Sequence, residues 1–148
     1  MKALIQRVNK ASVSINNTEY SSINKGLLIL VGVHKDDTEE DIKYIIEKST
    51  NLRIFSDEND KFNFSAIDIR AELLIVSQFT LHADTTKGRR PGFFNSATPY
   101  EAERLYNNTV NQFQKTGLVI KTGEFGAKME INLINDGPVT IMLDSHMK

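Results

Sequence analysis

Apolar and polar positions divide the chain into many short stretches of period two and two stretches of helical period. Residues 3–8 open with a strand, Ala-Leu-Ile-Gln-Arg-Val. Residues 12–15 alternate polar and apolar and run into Asn16-Asn17, a turn signal, so a hairpin is expected. Residues 26–33 are continuously apolar, which predicts a strand covered on both faces. A helix is expected from Asp37 or Thr38. Thr38 and Asp41 have capping-box spacing, and the acidic first turn suits the helix dipole. Ile42, Ile45 and Ile46 form its buried stripe. Residues 52–55 predict a short strand, 56–60 a polar turn, and 71–81 a long strand whose end is more polar. Residues 82–94 are a loop rich in Thr, Gly and Arg. Thr98-Pro99-Tyr100-Glu101 then opens a second helix with N-cap, N1 proline and N3 glutamate. Ala102, Leu105, Tyr106, Val110 and Phe113 share one face of it, and Gly117 ends it. Strands at 118–121, 129–134 and 139–143 complete the series. The expected fold is α+β: one β-rich domain over residues 1–148, barrel-like or two-sheeted with antiparallel or mixed pairing, and two main helices.

Composition narrows the function classes. A chain of 148 residues buries roughly 68–70% of its unfolded surface, so one domain needs no staples. The absence of cysteine excludes disulfides, a thiol nucleophile and thiolate metal sites, and fits a reducing cytoplasm. No stretch approaches the ~20 apolar residues of a membrane span, and the N-terminus has no signal-peptide run, so a cytoplasmic protein without membrane contact is expected. The net charge of −1 leaves nucleic acid to a local basic patch rather than to the global field.

Ordinary catalytic centres are missing from the pattern. The histidines, His34, His82 and His146, have no metal-ligand spacing, so no metal is expected. There is no nucleophile elbow and no phosphate-cradling glycine loop. Two stretches remain. In Ser77-Gln78-Phe79-Thr80-Leu81, polar side chains follow an apolar run at a strand end. The segment is either a strand edge with hydroxyls outward or a place where unpaired N–H groups stabilise an oxyanion. Thr80 is a conceivable nucleophile, but no base stands near it in sequence. Lys87, Arg89 and Arg90 lie within four residues, as a solvated loop or as phosphate contacts. The adjacent Phe93-Phe94 pair is read as a loop anchor in preference to a stacking platform for bases. Near the C-terminus, Asn135-Asp136-Gly137-Pro138-Val139-Thr140 places a Gly-Pro step before an apolar strand. Such a step can hold bare backbone carbonyls in a fixed direction, and the bond before proline is the one kind that adopts cis cheaply.

Together these stretches, with Lys87-Gly88-Arg89-Arg90-Pro91, the opening residues 3–8 and Gly123-Glu124-Phe125-Gly126-Ala127-Lys128-Met129, resemble the D-aminoacyl-tRNA deacylase family over the whole chain. The resemblance implies a homodimer with active sites at the subunit interface and no cofactor. It implies hydrolysis of the ester joining a D-amino acid, or glycine, to the terminal adenosine of tRNA. It assigns Gly137-Pro138 a cis bond and a place in the partner's pocket, where the carbonyls exclude an L side chain, with Arg7 supporting that loop. It assigns Ser77, Gln78, Phe79 and Thr80 to the ester site, with the Phe79 and Thr80 amides as oxyanion donors. It implies that the ribose 2′-hydroxyl assists a water nucleophile. Phe125 and Met129 are candidates for the pocket wall or for the core. The sequence departs from the family pattern at His82, often tyrosine, and at Gly92, often a small polar residue.

Overall fold

Two long strands, β1 (Lys2–Ile15) and β8 (Glu130–Asp144), run antiparallel along each other in the computed structural model, which describes residues 1–147. β3 (Gly26–Gly32) lies antiparallel beside residues 2–8 of β1, and β2 (Thr18–Ile23) beside residues 11–15. β6 (Glu72–Ser77) then pairs parallel with β3, and β7 (Ile120–Thr122) parallel with β6. The Ser21 hydroxyl donates to the Thr122 carbonyl at 2.7 Å, which brings β2 against β7 and nearly closes the sheet into a barrel. α1 (Glu39–Asn51) and α2 (Pro99–Gln114) lie in the two crossovers between parallel neighbours. β4 (Phe55–Ser56) and β5 (Phe62–Phe64) form a small separate ribbon. The α+β class, the two helices and the barrel-like sheet follow the pattern read from the sequence.

The unbroken apolar run in β3 has a packing reason. Leu27, Ile29 and Val31 face a core shared with Ile42 and Ile45 of α1 and Leu105 and Phe113 of α2. Leu28 faces the other side, with Val8, Val13, Leu74 and Val76. Both faces of the strand are therefore covered. Helix entry follows the capping signals. The Thr38 amide and hydroxyl both donate to one Asp41 carboxylate oxygen, at 2.8 and 2.9 Å. At the second helix, Pro99 occupies N1 behind Thr98.

Several boundaries differ from the sequence reading. The stretches at 3–8 and 12–15 are one strand, and so are 129–134 and 139–143. Register shifts between Gln6 and Lys10 interrupt the β1–β8 pairing without ending either strand. The strand expected at 71–81 stops at Ser77, and Phe79–His82 is a 3-10 turn, so side-chain alternation does not extend to Thr80. Of residues 52–55 only Phe55 is in a strand, paired to the mostly exposed β5 that the pattern did not reveal. The strand expected at 118–121 lies at Ile120–Thr122.

Candidate active site

The end of β6 forms the floor of the site. The Gln78 amide still pairs with the Val31 carbonyl at 2.7 Å, and the chain then tightens into the 3-10 turn. Leu81 N–H closes that turn onto the Gln78 carbonyl at 3.3 Å. The amides of Phe79 and Thr80 open it and have no acceptor within it, as at any helix start. The Gln78 side-chain amide donates to the Thr80 hydroxyl.

A cavity of about 580 Å³ lies over this strand end, lined by Ser77, Gln78 and Phe79. Phe93, Phe125 and Met129 also line it, with Ala97 and Ala102 at the entry to α2. Phe79 and Phe93 meet edge to face with centroids 4.9 Å apart. Phe125 rests on Tyr106, whose buried hydroxyl donates to the Ile75 carbonyl at 2.8 Å. Burial holds that phenol well above its ordinary pKa, so it stays protonated. No residue lining the cavity carries a carboxylate, imidazole, amine, guanidinium, phenol or thiol. Thr80 is not among the lining residues.

The Gly137–Pro138 peptide is cis and sits where β8 loses register with β1, in the gap between the Gln6–Thr140 and Val8–Asn135 pairs. Arg7, only 6% exposed, stands opposite that gap. Its Nε pairs with an Asp136 carboxylate oxygen at 2.9 Å and donates to the Asp136 carbonyl at 3.2 Å. Its Nη1 donates to the Ile54 carbonyl at 2.6 Å, and the guanidinium lies 5.5 Å from the Phe62 ring centroid. The Asn135 amide spans the neck of the bulge, donating to the Arg7 and Val139 carbonyls at 2.9 and 3.0 Å. Gly137 and Pro138 are exposed and are absent from the lining of their own chain's cavity.

Within one chain, then, Ser77, Gln78, Phe79, Phe125 and Met129 come together, and Arg7 meets the Gly-Pro bulge. Lys87, Arg89 and Arg90 project from an exposed loop tied at its base by the Asp84–Gly92 bridge. The aromatic pair beside that loop divides: Phe93 packs inward on Phe79, whereas Phe94 is 86% exposed, so only the first is an anchor. The sequence reading missed Asn135 as a clamp and Ile54 as an acceptor. Asn135 was visible as an amide beside Gly-Pro. A backbone carbonyl such as that of Ile54 leaves no trace in residue identity.

Comparison with known proteins follows the same line. Residues 4–144 match the family model described as D-Tyr-tRNA(Tyr) deacylase. A protein of Thermosipho africanus named D-aminoacyl-tRNA deacylase is 55% identical over 145 residues, covering 98% of this chain and 97% of that protein. One of the same name from Clostridioides difficile is 52% identical, over 98% and 97% of the two chains. Among solved structures, the c-Myc DNA Unwinding Element Binding Protein superposes with a TM-score of 0.92 at 41% identity, covering 97% of this chain and 98% of that one. A probable eukaryotic D-amino acid tRNA deacylase superposes with a TM-score of 0.82 at 17% identity, covering 96% and 97%, and shares the fold.

Proposed function

The chain belongs to the D-Tyr-tRNA(Tyr) deacylase family, and from that premise we propose that it hydrolyses the ester bond of D-aminoacyl-tRNA, releasing the free amino acid and tRNA. The observation that carries the mechanism is a cavity of ester-binding size whose lining holds no acid, base or charged side chain. Acyl transfer there needs its proton handling from elsewhere. The vicinal 2′-hydroxyl of the terminal ribose is the nearest group every substrate supplies, and it assists water at the carbonyl. The Phe79 and Thr80 amides receive the developing oxyanion, where fixed donors act most strongly in a dry site.

Selection against L substrates is assigned to the Gly137–Pro138 bulge. It is exposed on its own chain and propped by Arg7 and Asn135, which suits insertion into the pocket of a second copy. Its carbonyls face the α-carbon, admit hydrogen and exclude a side chain, so D-aminoacyl and glycyl esters pass while L esters do not. The enzyme is on this reading a homodimer without cofactor, acting where tRNA is charged, in the cytoplasm. Lys87, Arg89 and Arg90 take tRNA phosphates.

A second reading makes Thr80 the nucleophile. It is the weaker one, because the Thr80 hydroxyl is engaged by Gln78 and lies outside the cavity lining. Incubation with D-tyrosyl- and L-tyrosyl-tRNA tests the activity: rapid release from the D ester alone is expected, and release at the spontaneous rate from both refutes it. Thr80→Ala and a 2′-deoxy terminal adenosine separate the mechanisms. The proposal requires near-normal turnover in the first and loss of turnover in the second.

A further inference from the structure

We propose that His34, Asp37 and His146 bind a borderline divalent transition metal, best matched by Zn²⁺, at a site separate from the ester cavity. Their sequence positions hide the arrangement. His34 follows the end of β3, Asp37 leads into α1, and His146 lies in the 3-10 turn Ser145–Met147 after β8. The fold brings one ligand atom from each within 4.8 Å of the others. His146 Nε2 is 2.9 Å from Asp37 Oδ1, and the His34 and His146 rings stand 4.7 Å apart between centroids.

Three features point beyond a chance cluster. First, the carboxylate is oriented from behind: the His34 backbone amide donates to Asp37 Oδ2 at 2.6 Å, and the Asp37 side chain is fully buried. Second, the rings border a cavity of about 350 Å³ that shares no lining residue with the ester cavity and leaves room for water as a further ligand. Third, His82 lines that cavity and is only 7% exposed. It bonds the Gly32 carbonyl, and its Nε2 is buried with no partner among the described residues. An imidazole tied by one nitrogen to a backbone carbonyl, with the other lone pair unused, is oriented as imidazoles are around metals. Its ring centroid lies 5.4 Å from that of His34, so a third imidazole stands beside the ligand cluster.

Charge and ligand type agree. Asp36 and Asp41 approach the histidines, and Asp84 and Asp144 line the cavity, against the Lys2 ammonium and the Met1 α-ammonium. Two imidazoles and one carboxylate suit Zn²⁺ and its neighbours in the first transition row better than Mg²⁺ or Ca²⁺, which take oxygen sets. Without metal, the Met1 ammonium is the cation on Asp37, and the His34 Nδ1 accepts the Asp36 amide at 3.2 Å. Metal uptake replaces these interactions. The bound ion would tie the end of β3, the start of α1 and the C-terminal turn together as a clamp.

The test uses the untagged 148-residue chain beginning at Met1, stripped by chelator. Zn²⁺ is titrated in competition with a chromophoric chelator, and Co²⁺ uptake is followed by its visible d–d bands. One equivalent per chain is expected. His146→Ala, at a half-exposed position near the chain end, should weaken Zn²⁺ by about tenfold or more and abolish the Co²⁺ bands at unchanged circular dichroism. His34→Ala should do the same; if it fails to fold, His146→Ala alone decides. Absence of stoichiometric uptake in the wild type overturns the proposal, as does equal uptake by the folded variants.

Discussion

Gly137 combines two constraints that no other residue meets there. Its φ is +122°, a region open to glycine. A Cβ built on it would lie 2.8 Å from Val139 Cγ2 and 2.9 Å from Arg7 Nη2. Any side chain must therefore displace the arginine that pairs with Asp136. Gly137→Val is expected to lower D-tyrosyl-tRNA turnover or erode the preference for D over L, measured as the ratio of the two kcat/KM values. Unchanged rate and ratio would remove the bulge from the mechanism. At this scale the sequence shows the Gly137-Pro138 step directly, and points to Arg7 only through the family resemblance. It is silent where the partner is a main-chain atom, as at Ile54, or where an amide is placed by a register shift, as at Asn135.

Elements are legible in proportion to how local their signals are. Both helices announce themselves through caps, because a cap joins residues only three apart. The α1 cap yields a pH prediction. Burial pushes the Asp41 carboxyl up, but hydrogen bonds from Thr38 and Ser145 and the nearby N-terminal charge outweigh it and hold the group at about 2, below its ordinary 3.8. A depressed folded pKa adds stability that is complete above 3.8 and is lost as pH falls toward 2. Thermal melts should therefore show a drop across that window that Asp41→Asn lacks. Strand ends are less legible, since they depend on distant partners. Gly26 illustrates the dependence: at the β3–β6 junction an added Cβ would fall 1.8 Å from the Glu72 carbonyl oxygen. Gly26→Ala should force the two strands apart and cost about 1–3 kcal/mol, read as a lower denaturant midpoint. An unshifted midpoint would mean that the junction relaxes freely. The long strands β1 and β8 look like four in the sequence, because a bulge and a Gly-Pro step resemble chain breaks in one dimension.

For the whole molecule, surface charge yields a prediction of its own. The cations Lys87, Arg89 and Arg90 are exposed, and among the described residues none is paired with a carboxylate. Replacing all three with alanine should weaken tRNA binding and flatten the slope of log K against log salt by about 2–3, since each phosphate neutralised by the protein adds roughly 0.7–0.9 to that slope. An unchanged slope would return the loop to solvent. What the sequence by itself determined is what short-range chemistry writes: a β-rich α+β chain, two capped helices, no thiol chemistry, and the motifs at Ser77–Thr80 and Gly137–Pro138. What only the tertiary structure decided is which distant residues meet. It stopped β6 at Ser77 and made Phe79–His82 a 3-10 turn, leaving two amides without acceptors in that turn beside an uncharged cavity. It set Arg7 against Asp136, 129 residues away in the chain, through the register of β1 on β8. It also gathered three histidines that share no spacing onto one carboxylate-rich corner. Periodicity reports which face of an element is buried; it carries no information about the partner, which packing and strand register alone select.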